Sequence, residues 1–294
     1  MIKKEYNKDL SRLNTFGMKV SARLYLEYDS VADLFDMDFE QLLSPVKHIG
    51  GGSNLLFTKD FSGTILHSKI DFIEVLEGSG KGTVSQGSGT MPDGASQGSG
   101  TVRVSVGAGL KFDSLCEWAA SKGLWGIENL SGIPGEVGAA AAGNIGAYGQ
   151  EFGQVVCEVY AYDTREEDFV KFTREDCKYD YRYSVFKEGG VLSSRYIITH
   201  VVIELSSEPR PCLEYGHLAQ ALDGDLSIGH IRETIIATRD SKLPCPEKTG
   251  SAGSFFKNPV VDRAVYEKIA ASSAVPVPHY DKQDGTVKIP AAWL

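Results

Sequence analysis

Several things are missing from these 294 residues, and each absence removes a class of protein. The five cysteines (Cys116, Cys157, Cys177, Cys212 and Cys245) are odd in number and far apart, with no CxxC pair and no Cys/His cluster. Neither a disulfide framework nor a zinc site is expected, and no other metal site either. No run approaches the roughly 18 apolar residues of a membrane helix. The opening MIKKEYNKDLSR is charged and leads into no apolar segment, so a signal peptide is not expected and the cytoplasm is the expected compartment. Positive charge is also scarce: 30 Lys and Arg against 39 Asp and Glu give a net charge of -9. Nonspecific binding to nucleic acid or to an anionic membrane is disfavoured on that ground. There is no GxGxxG and no GxxxxGK[ST], so any nucleotide would be held by neither a Rossmann turn nor a P-loop.

What is present is an ordinary globular composition, 42% hydrophobic and 23% charged, with one surplus. Glycine numbers 32, about 11% against a typical ~7%. Eight of these glycines fall in 78–101, which contains SQGSGT twice, at 85–90 and 96–101. Apolar residues are nearly absent there, and the segment reads as a flexible insertion between strands. Its direct repeat points to duplication or engineering.

Around it, strands are expected at 22–28, 46–49, 64–67, 102–106, 154–162, 169–172 and 195–205. Helices are expected from a Ser30 cap to about Leu43, over 111–122 closed by Gly123, from a Ser227 cap to about Thr238, and near 262–271. A hairpin turn is expected at Asp284-Gly285. Strands and helices mix without regular alternation, which predicts an α+β fold.

Two other glycine clusters are not linkers. Gly50-Gly51-Gly52-Ser53-Asn54 follows a strand directly. It serves either as a tight turn or as a nest of N–H groups for a diphosphate. The segment 126–149 holds seven glycines and five alanines in 24 residues, interrupted by Ile133, Val137 and Ile145. Such density allows either close helix packing or a backbone platform against a flat ring system. Two separated loops favour a large ligand with a phosphate end and a ring end.

The run GLWGIENLSGIPGEVGAAAAGNIGAYGQE resembles the signature of the UDP-N-acetylenolpyruvoylglucosamine reductases, flavoenzymes of peptidoglycan synthesis. Leu13-Asn-Thr-Phe-Gly17, Gly50-Gly-Gly-Ser-Asn54, Tyr181-Arg-Tyr-Ser184 and Gly253-Ser-Phe-Phe-Lys-Asn-Pro259 resemble further motifs of that family in the same order. The resemblance implies a two-part FAD-binding region of the vanillyl-alcohol-oxidase type over 1–243, in parts of about 1–70 and 102–243. An incomplete substrate-binding domain over 244–294 follows. It implies non-covalent FAD, NADPH as reductant and a UDP-sugar enolpyruvyl ether as substrate; a monomer is expected, though not on the ground of the resemblance.

The same resemblance assigns residues. Gly50, Gly51, Gly52, Ser53, Asn54, Ile133, Pro134, Gly135, Gly138, Gly146 and Arg239 would hold FAD. Tyr148, Tyr181, Tyr215, Lys242, Lys257 and Asn258 would face substrate, and Tyr215 marks the subclass with a closing tyrosine loop. Arg182 would stabilise the enolate-like charge, and Ser254 would donate the proton. From the residues alone, Arg182 reads equally as a surface ion pair, Ser254 as a turn residue, and Arg239 and Lys242 as cations at a helix end. Departures from the family pattern are Tyr183 for Asp, Gly143 for Gln, Cys245 in place of an LPDP run and Ala292 in place of AGWL. No LEPE-like sequence appears anywhere in the 294 residues, so the carboxylate partner of Ser254 and much of the substrate domain are expected to be absent, with little reductase activity. Two other readings remain: a different flavin oxidase on a related scaffold, and a non-catalytic nucleotide-binding remnant.

Overall fold

The computed structural model describes residues 1–76, 100–188, 195–214, 218–246, 248–251, 253 and 256–294. Tyr215, Ser254 and nearly all of the expected 78–101 insertion lie outside them. The chain divides into two compact units, Met1–Ser251 and Ala252–Leu294.

The first unit opens with β1 (Lys3–Asp9), β2 (Ser21–Tyr28), α1 (Val31–Phe35), β3 (Val46–Ile49) and β4 (Phe61–Ser68). These strands form a sheet in the order β1-β2-β4-β3, antiparallel at its β1 edge and parallel elsewhere. A parallel strand in mid-sheet is buried on both faces, and β2 obeys this. Leu24, Leu26 and Tyr28 pack on one side with Leu34, Met37 and Leu66, while Ala22 and Tyr25 pack on the other with Leu10, Ile49 and Ile65.

The unit continues with β5 (Ile73–Val75), β6 (Thr101–Gly107), α2 (Phe112–Ser121), α3 (Val137–Gly143), β7 (Gly146–Ala147), β8 (Gln150–Glu151), β9 (Val156–Asp163), β10 (Asp168–Thr173), β11 (Tyr196–Ser206), α4 (Leu218–Ala221) and α5 (Ile228–Lys242). The larger strands make an antiparallel sheet, β10-β9-β11-β6-β5. Its main core takes Val104 and Val106 from β6, Phe112 and Leu115 from α2, Ala140 and Ala141 from α3, and Val201 and Ile203 from β11. Tyr162 and Ile197 join the β2/β4 cluster instead, so one apolar seam holds the two sheets together.

The second unit contains β12 (Val260–Val261), α6 (Arg263–Ser272), β13 (Tyr280–Asp281) and β14 (Val287–Lys288), with strand order β12-β14-β13. Val277, Val287 and Ile289 form its small core. The expected turn is present: Gly285 has φ +81 and Asp284 Oδ1 accepts from Thr286 N at 3.0 Å.

The α+β expectation holds, as do the Ser30 and Ser227 caps, which accept from Asp33 N at 3.2 Å and His230 N at 3.4 Å. Four local expectations need correction. The helix expected to about Leu43 ends at Phe35, and a short 3-10 turn, Phe39–Gln41, follows from Asp38, whose carboxylate takes the N–H groups of Glu40 and Gln41. The 126–149 segment is not all loop, because four alanines carry α3 until Asn144 ends it at φ 42. Thr101 belongs to β6 rather than to the insertion. The strand β1 was not expected at all: KKEYNKD is charged and exposed along an edge, so it lacks the alternation that marks a half-buried strand.

Candidate functional site

The first glycine loop leaves β3 beside the turn that joins β1 to β2. Asn14, 6% exposed, shapes that turn: its Nδ2 donates to the carbonyls of Leu10 and Met18, and its Oδ1 accepts from Met18 N. Gly52 then passes so close that a Cβ on it would lie 1.8 Å from the Leu13 carbonyl oxygen, and its φ is +70. Only glycine fits there. Thr15 Oγ1 donates to the Ser53 carbonyl at 3.2 Å, tying the LNTFG motif to the loop. Among the described residues no acceptor takes the N–H groups of Gly51, Gly52, Ser53 or Asn54. Four consecutive donors without a partner are the donor set that a diphosphate requires.

The second loop faces the first. Ser53 Oγ donates to the Pro134 carbonyl at 3.0 Å. A Cβ on Gly51 would stand 3.6 Å from Gly135 Cα, and one on Gly50 would stand 2.9 Å from Ala139 Cβ. The two loops, some 80 residues apart in sequence, thus meet through the Ser53 side chain and through close backbone approach at Gly51 and Gly135. The start of α3 is already satisfied by other partners: Val137 N donates to Leu110 O at 3.0 Å and Gly138 N to Ala108 O at 2.9 Å. Gly138 is therefore turned to the β6–α2 connection rather than to the loop pair, and a Cβ on it would meet Ala108 Cβ at 2.8 Å.

Helix α5 grips the turn that precedes Pro134. Arg232 places Nη1 and Nη2 on the two oxygens of Asp113, at 2.6 and 2.9 Å, and Asp113 Oδ1 also accepts from Gly132 N at 2.6 Å. Arg239 Nε donates to the Gly132 carbonyl at 3.1 Å. The two ends of one glycine are thus held from two helices, its N–H by Asp113 of α2 and its carbonyl by Arg239 of α5. Burial pushes the Asp113 carboxyl upward, but the hydrogen bonds from Arg232 and Gly132 outweigh it and hold the group below the ordinary value. Burial lowers the Arg239 guanidinium, against the opposing influence of Tyr148. Even so, a guanidinium stays charged. Tyr148, at φ 46, packs on the Trp125, Ile231 and Ile235 cluster, and Asn129 Nδ2 donates to its carbonyl at 2.8 Å and to that of Cys212 at 2.7 Å.

Arg182 sits at φ 58 in a tight turn between Asp180 and Tyr183. Its Nη2 donates to the Gly146 carbonyl at 3.2 Å, and its own carbonyl accepts from Lys187 Nζ at 2.8 Å. Asn144 carries the turn by donating to the Asp180 carbonyl, and buried Ser184 donates to the Ala142 carbonyl at 2.6 Å. The guanidinium stays solvent-exposed with most of its donors open. Tyr183, the departure from the family pattern, turns its hydroxyl to Glu188 at 2.8 Å. Tyr181 lies in the same turn, its N–H on Asp180 Oδ1.

The fold therefore joins Gly50–Asn54 to Pro134 and Gly135, Arg239 to Gly132, and Arg182 to Gly146. Ile133 packs on the main core. Lys242 is exposed in the last turn of α5, and Lys257 and Asn258 belong to the second unit, where Asn258 Oδ1 accepts from Ala291 N at 2.9 Å. A cleft of about 280 Å³ lined by Asn144, Glu151, Arg174 and Tyr179 contains none of the residues chosen from the sequence. Asp113, Asn129, His67 and Glu136 went unnoticed in the sequence, since nothing local marks a residue whose partner is 19 to 119 positions away.

Residues 41–167 match the family model of an FAD binding domain. Together with the facing glycine loops and the two-sheet α+β fold, this defines a flavin-dependent oxidoreductase. The chain belongs to the UDP-N-acetylenolpyruvoylglucosamine reductase family. It is 39% identical over 284 residues to that reductase from Bacteroides fragilis, covering 96% of this chain and 79% of the relative. It is 37% identical over 290 residues to that of Porphyromonas gingivalis, covering 97% and 79%, and 36% identical over 301 residues to that of Neisseria meningitidis serogroup B, covering 98% and 79%. The solved UDP-N-acetylenolpyruvylglucosamine reductase of Thermus caldophilus shares its fold, with a TM-score of 0.58 at 20% identity over 99% of this chain and 88% of the other. The family resemblance read from the motifs is borne out.

Proposed function

We propose that this chain reduces the enolpyruvyl ether of UDP-N-acetylglucosamine to UDP-N-acetylmuramate, a peptidoglycan precursor, using NADPH and non-covalent FAD. The observation that carries the reading is the seam between the two glycine loops, closed by Ser53 on the Pro134 carbonyl and lined by four open N–H donors. When bound between these loops, FAD would supply hydride chemistry for the enolpyruvyl double bond, with NADPH as the reductant.

The chain's own groups do the rest. Gly51, Gly52, Ser53 and Asn54 hold the cofactor diphosphate through their N–H groups, beside Gly50. Ile133, Pro134, Gly135 and Gly146 give the ring system a backbone surface, and Gly138 sets α3 behind it. Arg239, fixed on Gly132, keeps a positive charge near the flavin. Arg182 binds the substrate carboxylate and stabilises the negative charge that hydride addition places beside it. Ser254 donates the proton that completes the product. Tyr148, Tyr181 and Tyr215 face the substrate, and Lys242, Lys257 and Asn258 bind its diphosphate and sugar. The protein acts as a monomer in the cytoplasm; among the described residues no helix is long and apolar enough to cross a membrane.

A visible absorbance spectrum of the purified chain tests the cofactor, and acid precipitation tests its linkage. Oxidised-flavin bands that move to the supernatant on precipitation are expected. NADPH consumption that depends on the UDP-sugar completes the test. A folded, colourless chain that takes up no added FAD would end the proposal.

A further inference from the structure

A buried polar chain joins the first sheet to the second glycine loop, and no role above uses it. Tyr25 on β2 and His67 on β4 are each 1% exposed, and Glu136, the residue capping α3, is 7% exposed. The Tyr25 hydroxyl lies 2.6 Å from His67 Nδ1, and His67 Nε2 lies 2.9 Å from Glu136 Oε1. Glu27 Oε2 accepts from the same hydroxyl at 3.1 Å, and Lys69 Nζ stands 3.9 Å from Glu136 Oε1. The second Glu136 oxygen, Oε2, is buried with no hydrogen-bond partner. It lies 3.2 Å from where a Cβ on Gly50 would be.

The placement is what matters. His67 is the register partner of Ile49, the residue just before the first loop, and Glu136 directly follows Gly135 of the second. A link from His67 to Glu136 therefore sets the gap between the two loops. It also restrains a carboxylate. An unpartnered buried oxygen is costly, and with the His67 bond cut the Glu136 side chain gains by turning toward solvent through the loop seam. There its negative charge opposes a diphosphate.

We propose that Tyr25, His67 and Glu136 are positioning residues for the cofactor diphosphate, holding the Glu136 carboxylate clear of the seam between the glycine loops. The proposal rests on the FAD reading of those loops. It requires that cutting the relay weaken anionic ligands through the charge of Glu136, and that removing the charge restore them.

The test is equilibrium titration of the flavin-free 294-residue chain with ADP and with FAD. His67→Phe keeps a ring and removes both hydrogen bonds; affinity for ADP is expected to fall about tenfold. His67→Phe combined with Glu136→Gln is expected to return to within about threefold of the parent, because a neutral amide does not repel phosphate. Tyr25→Phe, which touches neither loop, is expected to lose about threefold. A merely structural role predicts lower stability without rescue. Affinity of His67→Phe within twofold of the parent, or a double variant no tighter than His67→Phe, overturns the proposal. If His67→Phe does not fold, Tyr25→Phe decides, and unchanged ADP affinity overturns it. A parent chain that binds neither ADP nor FAD overturns the FAD reading and this inference together.

Discussion

Replacing Asp113 by alanine should loosen the turn at Gly132 from two directions at once. Asp113 accepts three hydrogen bonds, two from Arg232 and one from Gly132 N, across 119 and 19 residues of sequence. The Arg232 side chain is 13% exposed and that of Asp113 40%, so the pair lies between the surface and buried cases. Exposed pairs contribute about 0–1 kcal/mol, and breaking a fully buried one costs about 3–5 kcal/mol. With the Gly132 N–H also losing its acceptor, about 2 kcal/mol is expected. For a unit of this size that lowers Tm by about 4–8 °C. Asp113→Asn keeps an acceptor for Gly132 and should lose roughly half as much. The sign with pH follows from the depressed carboxyl. Its stabilisation is fully present above the unfolded value of about 4 and is lost as pH falls through the lower folded value, so the gap between parent and Asp113→Ala should close only in strong acid. Because Arg239 holds the same glycine, FAD release should also quicken. Melting curves followed by circular dichroism at neutral and acid pH, with flavin fluorescence recorded alongside, read both effects. A Tm within about 1 °C of the parent at neutral pH, with unchanged flavin retention, would refute the clamp.

Two further outcomes follow from the site. Gly52→Ala puts a methyl into the Leu13 carbonyl at a left-handed backbone position, so the loop must move. A loss of about 2 kcal/mol or more, with flavin no longer retained on gel filtration, is expected. Arg182→Ala removes a solvent-facing guanidinium held on Gly146, so flavin binding and Tm should stay near the parent while kcat/KM falls by about 10²–10³. Loss of bound flavin in that variant would instead give Arg182 a place in the cofactor site.

Much of the site was legible because its chemistry is local. A run of three glycines, Ser53 and Asn54 after a strand is readable as a donor-rich loop, since the residues themselves permit the backbone. The caps at Ser30 and Ser227 were equally readable. The misreadings share a physical cause. In 126–149 the glycines masked four alanines that are good helix formers, and burial against α2 and β11 decided for α3. Val31, Leu34 and Phe35 promised a longer helix, yet Asp38 captured the next N–H groups for itself.

The sequence by itself determined the composition class, the α+β pattern, the two glycine loops and the family to which they belong, because each is written in residue types close together along the chain. Only the tertiary structure decided that the loops face each other through Ser53 and Pro134, that Gly138 packs on Ala108, and that Asp113, Arg232 and Arg239 grip one glycine. It also brought His67 to Glu136 across 69 residues. Such contacts depend on how two sheets share one apolar seam, and hydrophobic packing that sets them leaves no local mark at the polar residues it brings together.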